Sequence, residues 1–189
     1  MERLLQERLH TSIKDNVPLV LIFGPTAVGK TELLLNLFEG KGEVISADSM
    51  QVYRGLDIGS AKPDSPYLKR LPHHLIDIKH PNEQFSAGDF VEEAEELIPR
   101  IIERGKIPVL SGGTAFYFRN FIYGLPKIPF VDDSFRLKLN EELKQKGLEL
   151  LYRELCVCDP ESGARLNNRD SSRIIRALEV FRATGRALS

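Results

Sequence analysis

The octet Gly-Pro-Thr-Ala-Val-Gly-Lys-Thr, from Gly24 to Thr31, has the composition and spacing of a phosphate-binding loop. Its glycines allow the backbone to curl so that successive N–H groups point at one anion, and the helix expected next adds partial positive charge there. Lys30 supplies a mobile cation for terminal phosphates, and the Thr31 hydroxyl is suited to holding Mg²⁺. The predicted binding residues for a di- or triphosphate are Gly24, Pro25, Thr26, Ala27, Val28, Gly29, Lys30 and Thr31.

A carboxylate, Asp48, comes just after the short apolar run 44–46, which predicts a strand. Ligands of open α/β sheets bind at the carboxyl ends of the strands, so Asp48 should face a pocket. It could act there as a general base, as an outer ligand of Mg²⁺, or only as a cap for the following turn. Its neighbours Ser49, Gln51 and Tyr53 are suited to recognising a planar base by hydrogen bonds and stacking.

Three further segments give weaker signals. The sequence Ser-Gly-Gly-Thr at 111–114 follows another predicted strand and offers close backbone approach and the Thr114 hydroxyl, although a simple strand-to-helix turn would look the same. Residues 55–63, with two glycines and a Lys-Pro pair, predict a loop. The pair His73 and His74 could be structural or functional, and neither is assigned to catalysis.

The elements that must position these residues alternate between strand and helix. Short apolar runs predict parallel strands at 19–23, 44–46 and 107–110, and a further strand is predicted around 74–78. A helix is predicted from 88 to 104, started by Ser86, with Pro99 kinking it or ending its regular part. This alternation predicts an α/β fold of the three-layer, P-loop NTPase-like class with a parallel sheet.

The second part of the chain is predicted to be helical. Residues 124–129 form an extended connector, and helices follow at 132–146, 148–155, 160–166 and 170–184. We therefore expect a P-loop core at 1–123, which begins with an amphipathic helix at 1–13, and a helical segment at 124–189. Because no element follows the last helix and a P-loop sheet normally has a fifth strand, the chain is expected to be a fragment.

Charge is unevenly distributed along the chain. The net charge of −1 argues against a generally basic nucleic-acid binder, but residues 162–189 contain six Arg and no Lys against two acidic residues. On the last helix Arg173 and Arg176 lie within about 60° of each other, so they could meet a pyrophosphate or an RNA backbone, or form a solvated face paired with Asp170 or Glu179. Ile174, Leu178 and Phe181 occupy the face expected to be buried.

The cysteine content and the hydropathy of the chain indicate the cellular compartment of the protein. Its 189 residues include only two cysteines, spaced Cys-x-Cys, which predicts reduced thiols and no zinc site. There is no signal peptide and no apolar run long enough to span a membrane. A cytoplasmic, monomeric enzyme without membrane association is expected.

The chain as a whole resembles the tRNA dimethylallyltransferase family. The segments that carry the resemblance are 24–31, 46–63, 72–77, 86–90, 111–114 and 173–180. The resemblance implies transfer of a dimethylallyl group from its diphosphate to the exocyclic N6 amine of the adenine adjacent to the anticodon in tRNA, with release of pyrophosphate and a requirement for Mg²⁺. It also implies that the P-loop holds the donor diphosphate in place of ATP, and that the anticodon stem-loop is the partner.

Residue roles follow from the resemblance position by position. Asp48 would be the base that activates the amine, and residues 49–51 would contact the flipped adenine. Lys30, Thr31 and Arg173 would stabilise the leaving pyrophosphate. The residues that would meet the tRNA are Asp48, Ser49, Met50, Gln51, Thr114, Arg136, Ser172, Arg173, Ile174, Ile175 and Arg176.

The sequence departs from the family pattern in two respects. Ser60 stands where the family usually has Thr, which keeps the hydroxyl. The family's chains continue for about another hundred residues, so this chain is expected to bind the donor without necessarily turning over.

Three alternatives stay open at this point. They are an adenylate isopentenyltransferase acting on a free nucleotide, a nucleotide or shikimate-type P-loop kinase, and a non-catalytic nucleotide-binding module. The basic helical segment favours tRNA over a free nucleotide.

Overall fold

A computed structural model describes residues 19–125 and 131–189. The predicted helix at 1–13 and most of the predicted connector at 124–129 lie outside the described residues. The chain divides into two compact units, Met1–Pro126 and Lys127–Ser189, so the division falls three residues beyond the predicted boundary at 123/124. Each unit has its own hydrophobic core and is described separately.

The first unit contains a parallel sheet. Its strands among the described residues are β1 (Val20–Phe23), β2 (Gly42–Ser46), β3 (His73–His74) and β4 (Ile107–Gly112). The spatial order is β1-β4-β2-β3, with Val109 of β4 paired to Val20 on one side and to Val44 on the other. Non-sequential parallel neighbours require crossover connections, which the helices of this unit provide. The mixed α/β class predicted from the sequence is confirmed.

The helices of the first unit fall between the strands. They are α1 (Lys30–Phe38), α2 (Ser65–Arg70), α3 (Ala87–Glu103) and α4 (Ala115–Tyr123). A capping box starts α3, because the Ser86 hydroxyl accepts from the Asp89 N–H and the Asp89 carboxylate accepts from the Ser86 N–H. Pro99 was predicted to kink α3 or to end its regular part; it does not end the helix, which continues four residues beyond it.

Both faces of the sheet are covered, which gives the three layers. Neighbouring residues of a strand point to opposite faces. Ile45 and Leu110 belong to one core, with α3 and α4, whereas Val44 and Val109 belong to another, with α1. The strands are therefore apolar on both faces, as parallel strands between helical layers must be.

The third strand is shorter than predicted and starts earlier. The expected strand at 74–78 is replaced by the two-residue strand His73–His74. Leu75 and Asp77 have φ angles of 63° and 57°, in the left-handed region, which interrupts any extended run. The helix α2 was not predicted at all; Asp64 caps it by accepting from the Tyr67 N–H.

The second unit is helical throughout its described elements. They are α5 (Asp133–Lys146), α6 (Leu148–Cys158), α7 (Pro160–Arg165) and α8 (Ser171–Thr184). Its core is formed by Leu139, Leu151, Leu155, Ile174, Ile175, Ala177 and Leu178. Gly147 ends α5, and Gly185 ends α8 in the left-handed conformation that favours glycine.

Two polar clusters tie these helices together. The guanidinium of Arg182 on α8 reaches Glu142 of α5 and Glu154 of α6. The hydrogen bond from Arg182, followed by that from Lys146, lowers the pKa of Glu142 to about 2. Asp159, fully buried, accepts from the Ser162 N–H at the start of α7. None of the described helices is long and apolar enough to cross a bilayer.

Candidate active site

The loop after β4 joins the segments that surround the cleft. Gly112 accepts at its carbonyl from the Gly24 N–H at 3.2 Å, at the start of the P-loop. Ala47, just before Asp48, donates to Ser111 at 2.8 Å and accepts from the Thr114 N–H at 3.1 Å. A Cβ on Gly112 would lie 2.1 Å from the Ala47 carbonyl oxygen, so only glycine allows this approach.

The P-loop itself is curled as the sequence predicts. Ala27 and Gly29 have positive φ angles of 65° and 89°, and α1 begins immediately afterwards at Lys30. The Lys30 ammonium donates to the carbonyls of Gly24 and Pro25, at 2.7 and 2.6 Å. These two bonds hold the cation over the loop, next to the amides that start the helix.

A cleft of about 310 Å³ opens beside the P-loop. It is lined by Thr26, Ala27, Gly29, Lys30, Thr31, Glu32, Leu34, Val44, Ser46, Asp48, Gln51, Ala61, Pro63, His73, Ser111 and Gly112. The structure thus brings Lys30, Thr31, Asp48 and Gln51 together in one cavity of the first unit. Tyr67 supports its wall by donating its hydroxyl to the Thr31 carbonyl at 2.6 Å.

Asp48 forms a turn and keeps one oxygen available. Its Oδ1 accepts from the N–H groups of Met50 and Gln51, at 2.9 and 3.3 Å. Its Oδ2 accepts no hydrogen bond from the part of the chain that the structure describes. The capping and catalytic interpretations of Asp48 are therefore compatible, because different oxygens serve them. The Ser49 N–H is held by the Thr114 hydroxyl at 3.0 Å, which fixes the same turn.

Both ends of the Gln51 amide are used within the protein. Its Oε1 accepts from the Ser46 hydroxyl at 3.0 Å, and its Nε2 donates to the carbonyls of Ser60 and Ala61, each at 3.1 Å. Gln51 therefore connects the end of β2 to the loop at 55–63. The side chain of Met50 is 50% exposed and is open to a ligand.

Lys62 organises that loop and was not singled out from the sequence. Its ammonium donates to the Tyr53 carbonyl and to the carboxylates of Asp57 and Asp77, all within 3.0 Å. The Lys62 side chain is 7% exposed, so the loop is built around a nearly buried cation whose carboxylate partners remain exposed. Ser60, the position that departs from the family pattern, donates its hydroxyl to the carbonyls of Leu56 and Asp57.

The two adjacent histidines have different surroundings. His74 pairs through Nε2 with the buried Glu43, which also receives two bonds from Arg104. His73 lines the cleft, and its Nδ1 lies 2.8 Å from the Leu71 carbonyl, which requires a proton on Nδ1. Burial lowers the pKa of His73, so its ring is neutral at neutral pH. His74 is thereby structural, whereas His73 lines the cleft as a neutral ring.

The predicted tRNA-contacting residues of the second unit divide into exposed and buried groups. Ser172 and Arg173 are exposed at the start of α8, where Arg173 pairs with Asp170. The side chains of Ile174 and Ile175 are 0% and 7% exposed and form part of the core, so they present no side-chain surface to a partner. Arg136 and Arg176 both pair with the buried Glu179.

The described residues contain no group of three or more His, Cys, Asp or Glu side chains able to hold a metal ion. A Mg²⁺ ion bound with a diphosphate needs fewer protein ligands, because it keeps several waters and takes phosphate oxygens. Thr31 and Asp48 supply oxygen donors in the cleft, which is the ligand type that Mg²⁺ prefers.

The fold and the site together define a P-loop protein. It has a phosphate-binding loop after β1, a parallel sheet between two helical layers, and a carboxylate after β2, Asp48, that lines the same cleft as the loop. Comparison with known families is more specific. The model of the family described as IPP transferase matches residues 51–189. The chain belongs to this family.

Individual relatives agree with the family match. A tRNA dimethylallyltransferase of Halorhodospira halophila is 51% identical over 91% of this chain, and one of Geobacter sulfurreducens is 49% identical over 90%. The chain spans 56% and 55% of these two proteins, so just over half of their length. Among solved structures, the tRNA isopentenylpyrophosphate transferase of Bacillus halodurans covers 90% of this chain at 44% identity, with a TM-score of 0.54 and 57% of its own chain matched. A eukaryotic dimethylallyltransferase acting on tRNA matches 89% of this chain with 42% of its own, at 31% identity and a TM-score of 0.70.

Proposed function

We propose that this chain is the donor-binding part of an enzyme that transfers a dimethylallyl group from dimethylallyl diphosphate to the N6 amine of an adenine in tRNA. The adenine is the one adjacent to the anticodon, and pyrophosphate is released. Family membership and the names of the relatives support the transfer reaction and the tRNA acceptor. The kinase and binding-module alternatives have no such support.

One observation carries the proposal: Lys30 and Asp48 line the same cleft of the first unit. A prenyl transfer needs both groups, since negative charge accumulates on the departing diphosphate while the acceptor amine loses a proton. In a protein that only bound a nucleotide, Asp48 could serve as an outer ligand of Mg²⁺ or as the cap of the turn, but no proton would need to be removed.

The chemistry assigns one task to each group. A C–N bond forms between N6 and the first carbon of the dimethylallyl group while the C–O bond to the diphosphate breaks. Loop N–H groups and Lys30 stabilise the leaving pyrophosphate, and Asp48 receives the amine proton through Oδ2. Thr31 would hold Mg²⁺ together with diphosphate oxygens and water, and that ion supplies further charge neutralisation. By resemblance Arg173 also acts on the leaving group.

The acceptor end of the cleft is assigned to the turn after β2. An adenine must leave its stack to reach a buried donor. The exposed Met50 side chain and the polar backbone of the turn at 48–51 offer a surface for such a base. Gln51 and Thr114 support this turn from below, so their proposed contact with the acceptor is partly indirect.

Three parallel incubations test the proposal on the intact protein. One contains dimethylallyl diphosphate and tRNA, the second dimethylallyl diphosphate and AMP, and the third ATP with small hydroxyl acceptors. We expect prenylation in the incubation with tRNA and no reaction in the other two. Prenylation of AMP in preference to tRNA would favour the adenylate alternative, and phosphoryl transfer from ATP would favour the kinase. Binding of the donor without any transfer would leave only the donor-site part of the proposal standing.

A further inference from the structure

The second unit contains a buried carboxylate that holds two arginines from different helices. Glu179 of α8 has a side chain that is 3% exposed. Its Oε1 lies 3.1 Å from Nη1 of Arg176, one turn earlier on the same helix, and its Oε2 lies 3.4 Å from Nε of Arg136 on α5. Each oxygen of this one carboxylate therefore pairs with a guanidinium group from a different helix.

This arrangement is costly for folding alone. Among the described residues, Oε2 of Glu179 is a buried oxygen with no hydrogen-bond partner, so its contact with Arg136 is an ion pair without a hydrogen bond. Burying a charge without full hydrogen bonding is destabilising, and replacing buried ion pairs by apolar residues is often neutral or stabilising. Stability therefore does not explain why a carboxylate occupies this core position.

A second ion cluster in the same unit, around Arg182, has a different balance of charges. Arg182 is shared by two carboxylates, Glu142 and Glu154, so every charge there is satisfied from within the protein. The Glu179 cluster has the opposite stoichiometry, with two cations for one anion, and keeps a net charge of +1. Arg136 and Arg176 remain 42% and 38% exposed, so their unused donors reach solvent.

We propose that Glu179 is a positioning residue that holds Arg136 and Arg176 together as one site for a phosphate group of the tRNA backbone. Two guanidinium groups already paired with one carboxylate lose less side-chain freedom when a phosphate binds than two unpaired ones, so together they suit the oxygens of a phosphate. The inference rests on the proposed function in one respect, since it takes tRNA as the phosphate-bearing partner.

The proposal makes a prediction whose sign is opposite to that of simple electrostatics. Glu179→Gln removes a negative charge, so nonspecific attraction would make tRNA binding tighter. If Glu179 positions the arginines, tRNA binding should instead weaken by about fivefold or more. The slope of log Kd against log salt should also fall by about 0.7 to 0.9, the amount expected for one lost phosphate contact. Glu149→Gln is the matched control: it removes the same charge from an exposed pair with Arg153 and should leave binding unchanged or slightly tighter.

The experiment measures binding of unfractionated tRNA to the intact protein, its Glu179→Gln and its Glu149→Gln variants at several salt concentrations. Tighter or unchanged binding by a folded Glu179→Gln variant would overturn the proposal while leaving tRNA as the partner. A parent protein that does not bind tRNA would overturn the acceptor assignment as well.

A second measurement applies if Glu179→Gln does not fold. Arg136→Ala and Arg176→Ala are compared singly and together. A shared phosphate predicts that the double variant binds little worse than the weaker single variant, because either change already breaks the site. Additive losses would mean that the two arginines act independently, against the proposal.

Discussion

The α-carbon of Gly112 faces the backbone of Ala47 so closely that a Cβ at position 112 would lie 2.1 Å from the Ala47 carbonyl oxygen. This approach is what brings the loop after β4, the start of the P-loop and the residue before Asp48 into one hydrogen-bonded junction. The geometry of the cleft therefore depends on a residue with no side chain.

Gly112→Ala should displace this junction. The added methyl group meets backbone atoms that cannot rotate away, so we expect a loss of stability of about 1–3 kcal/mol or more together with weaker donor binding. Thermal unfolding and donor titration measure both effects. Gly113→Ala is the control, because its Cβ would meet only the Gly24 carbonyl oxygen, at 3.4 Å. Equal tolerance of both substitutions would contradict the close approach.

Lys30→Ala should weaken the pyrophosphate site. It removes a charge-assisted contact to the diphosphate, worth on the order of 2–4 kcal/mol in the transition state, and the two bonds that hold the ammonium over the loop. Isothermal titration with dimethylallyl diphosphate and single-turnover rates should both show the loss. Lys41→Ala, an exposed lysine outside the cleft, is the control. If Lys30→Ala binds the donor as tightly as the parent, the P-loop does not hold the diphosphate.

Asp48→Asn should separate the two roles of that side chain. Asparagine keeps an oxygen that can accept from the N–H groups of Met50 and Gln51, so the turn and donor affinity should be retained. It cannot take a proton at the second position, so the chemical step should slow by about a hundredfold or more. Single-turnover kinetics on the intact protein measure this step. A near-normal rate would leave Asp48 with a capping role only.

Local patterns in the sequence were sufficient for much of the fold. The P-loop, the strands at its side and the ends of α5 and α8 follow from apolar runs, glycines and caps, which act over a few residues. Asp48 could be placed at a strand end for the same reason. The confirmed three-layer class depends on this alternation of short signals.

Contacts between distant residues could not be predicted in this way. Lys62 could be predicted only to lie in a loop, but its ammonium also contacts Asp77, fifteen residues away. The early end of β3 was missed too, since Leu75 and Asp77 adopt left-handed conformations that the apolar pattern does not reveal. The pairing of Arg136 with Glu179 depends likewise on how two helices pack, and helical periodicity gives only the face of each helix.

Asp159 should make the stability of the second unit depend on pH. Burial alone would raise its pKa, but hydrogen bonds from Ser162 and Ser189 outweigh burial and lower the pKa to about 2, from an ordinary value of 3.8. A depressed folded-state pKa means that the contribution is complete above about pH 4 and is lost as the pH falls toward 2.

Asp159→Asn tests this directly. Asparagine offers one oxygen where two are used, so the variant should be less stable by about 1–3 kcal/mol at pH 7, and the difference from the parent should shrink as the pH falls from 4 to 2. Urea unfolding at several pH values measures it. Glu161→Gln, an exposed acid on the same short helix, should show no comparable change. A pH-independent difference would mean that the ionised form is not what stabilises the unit.

The salt dependence of binding should distinguish tRNA from a free nucleotide as the acceptor. Each phosphate neutralised steepens the fall of log affinity with log salt by about 0.7 to 0.9, so a slope of at least about 2 is expected for tRNA and a much smaller one for the donor. Arg173→Ala should reduce the salt slope of tRNA binding by about 0.7 to 0.9, the amount expected for one phosphate contact. Its guanidinium is 73% exposed on α8, in the arginine-rich segment 162–189. Arg153→Ala is the control, since Arg153 is 70% exposed but lies outside that segment. A flat salt response together with efficient prenylation of AMP would exclude tRNA as the acceptor and support the adenylate alternative.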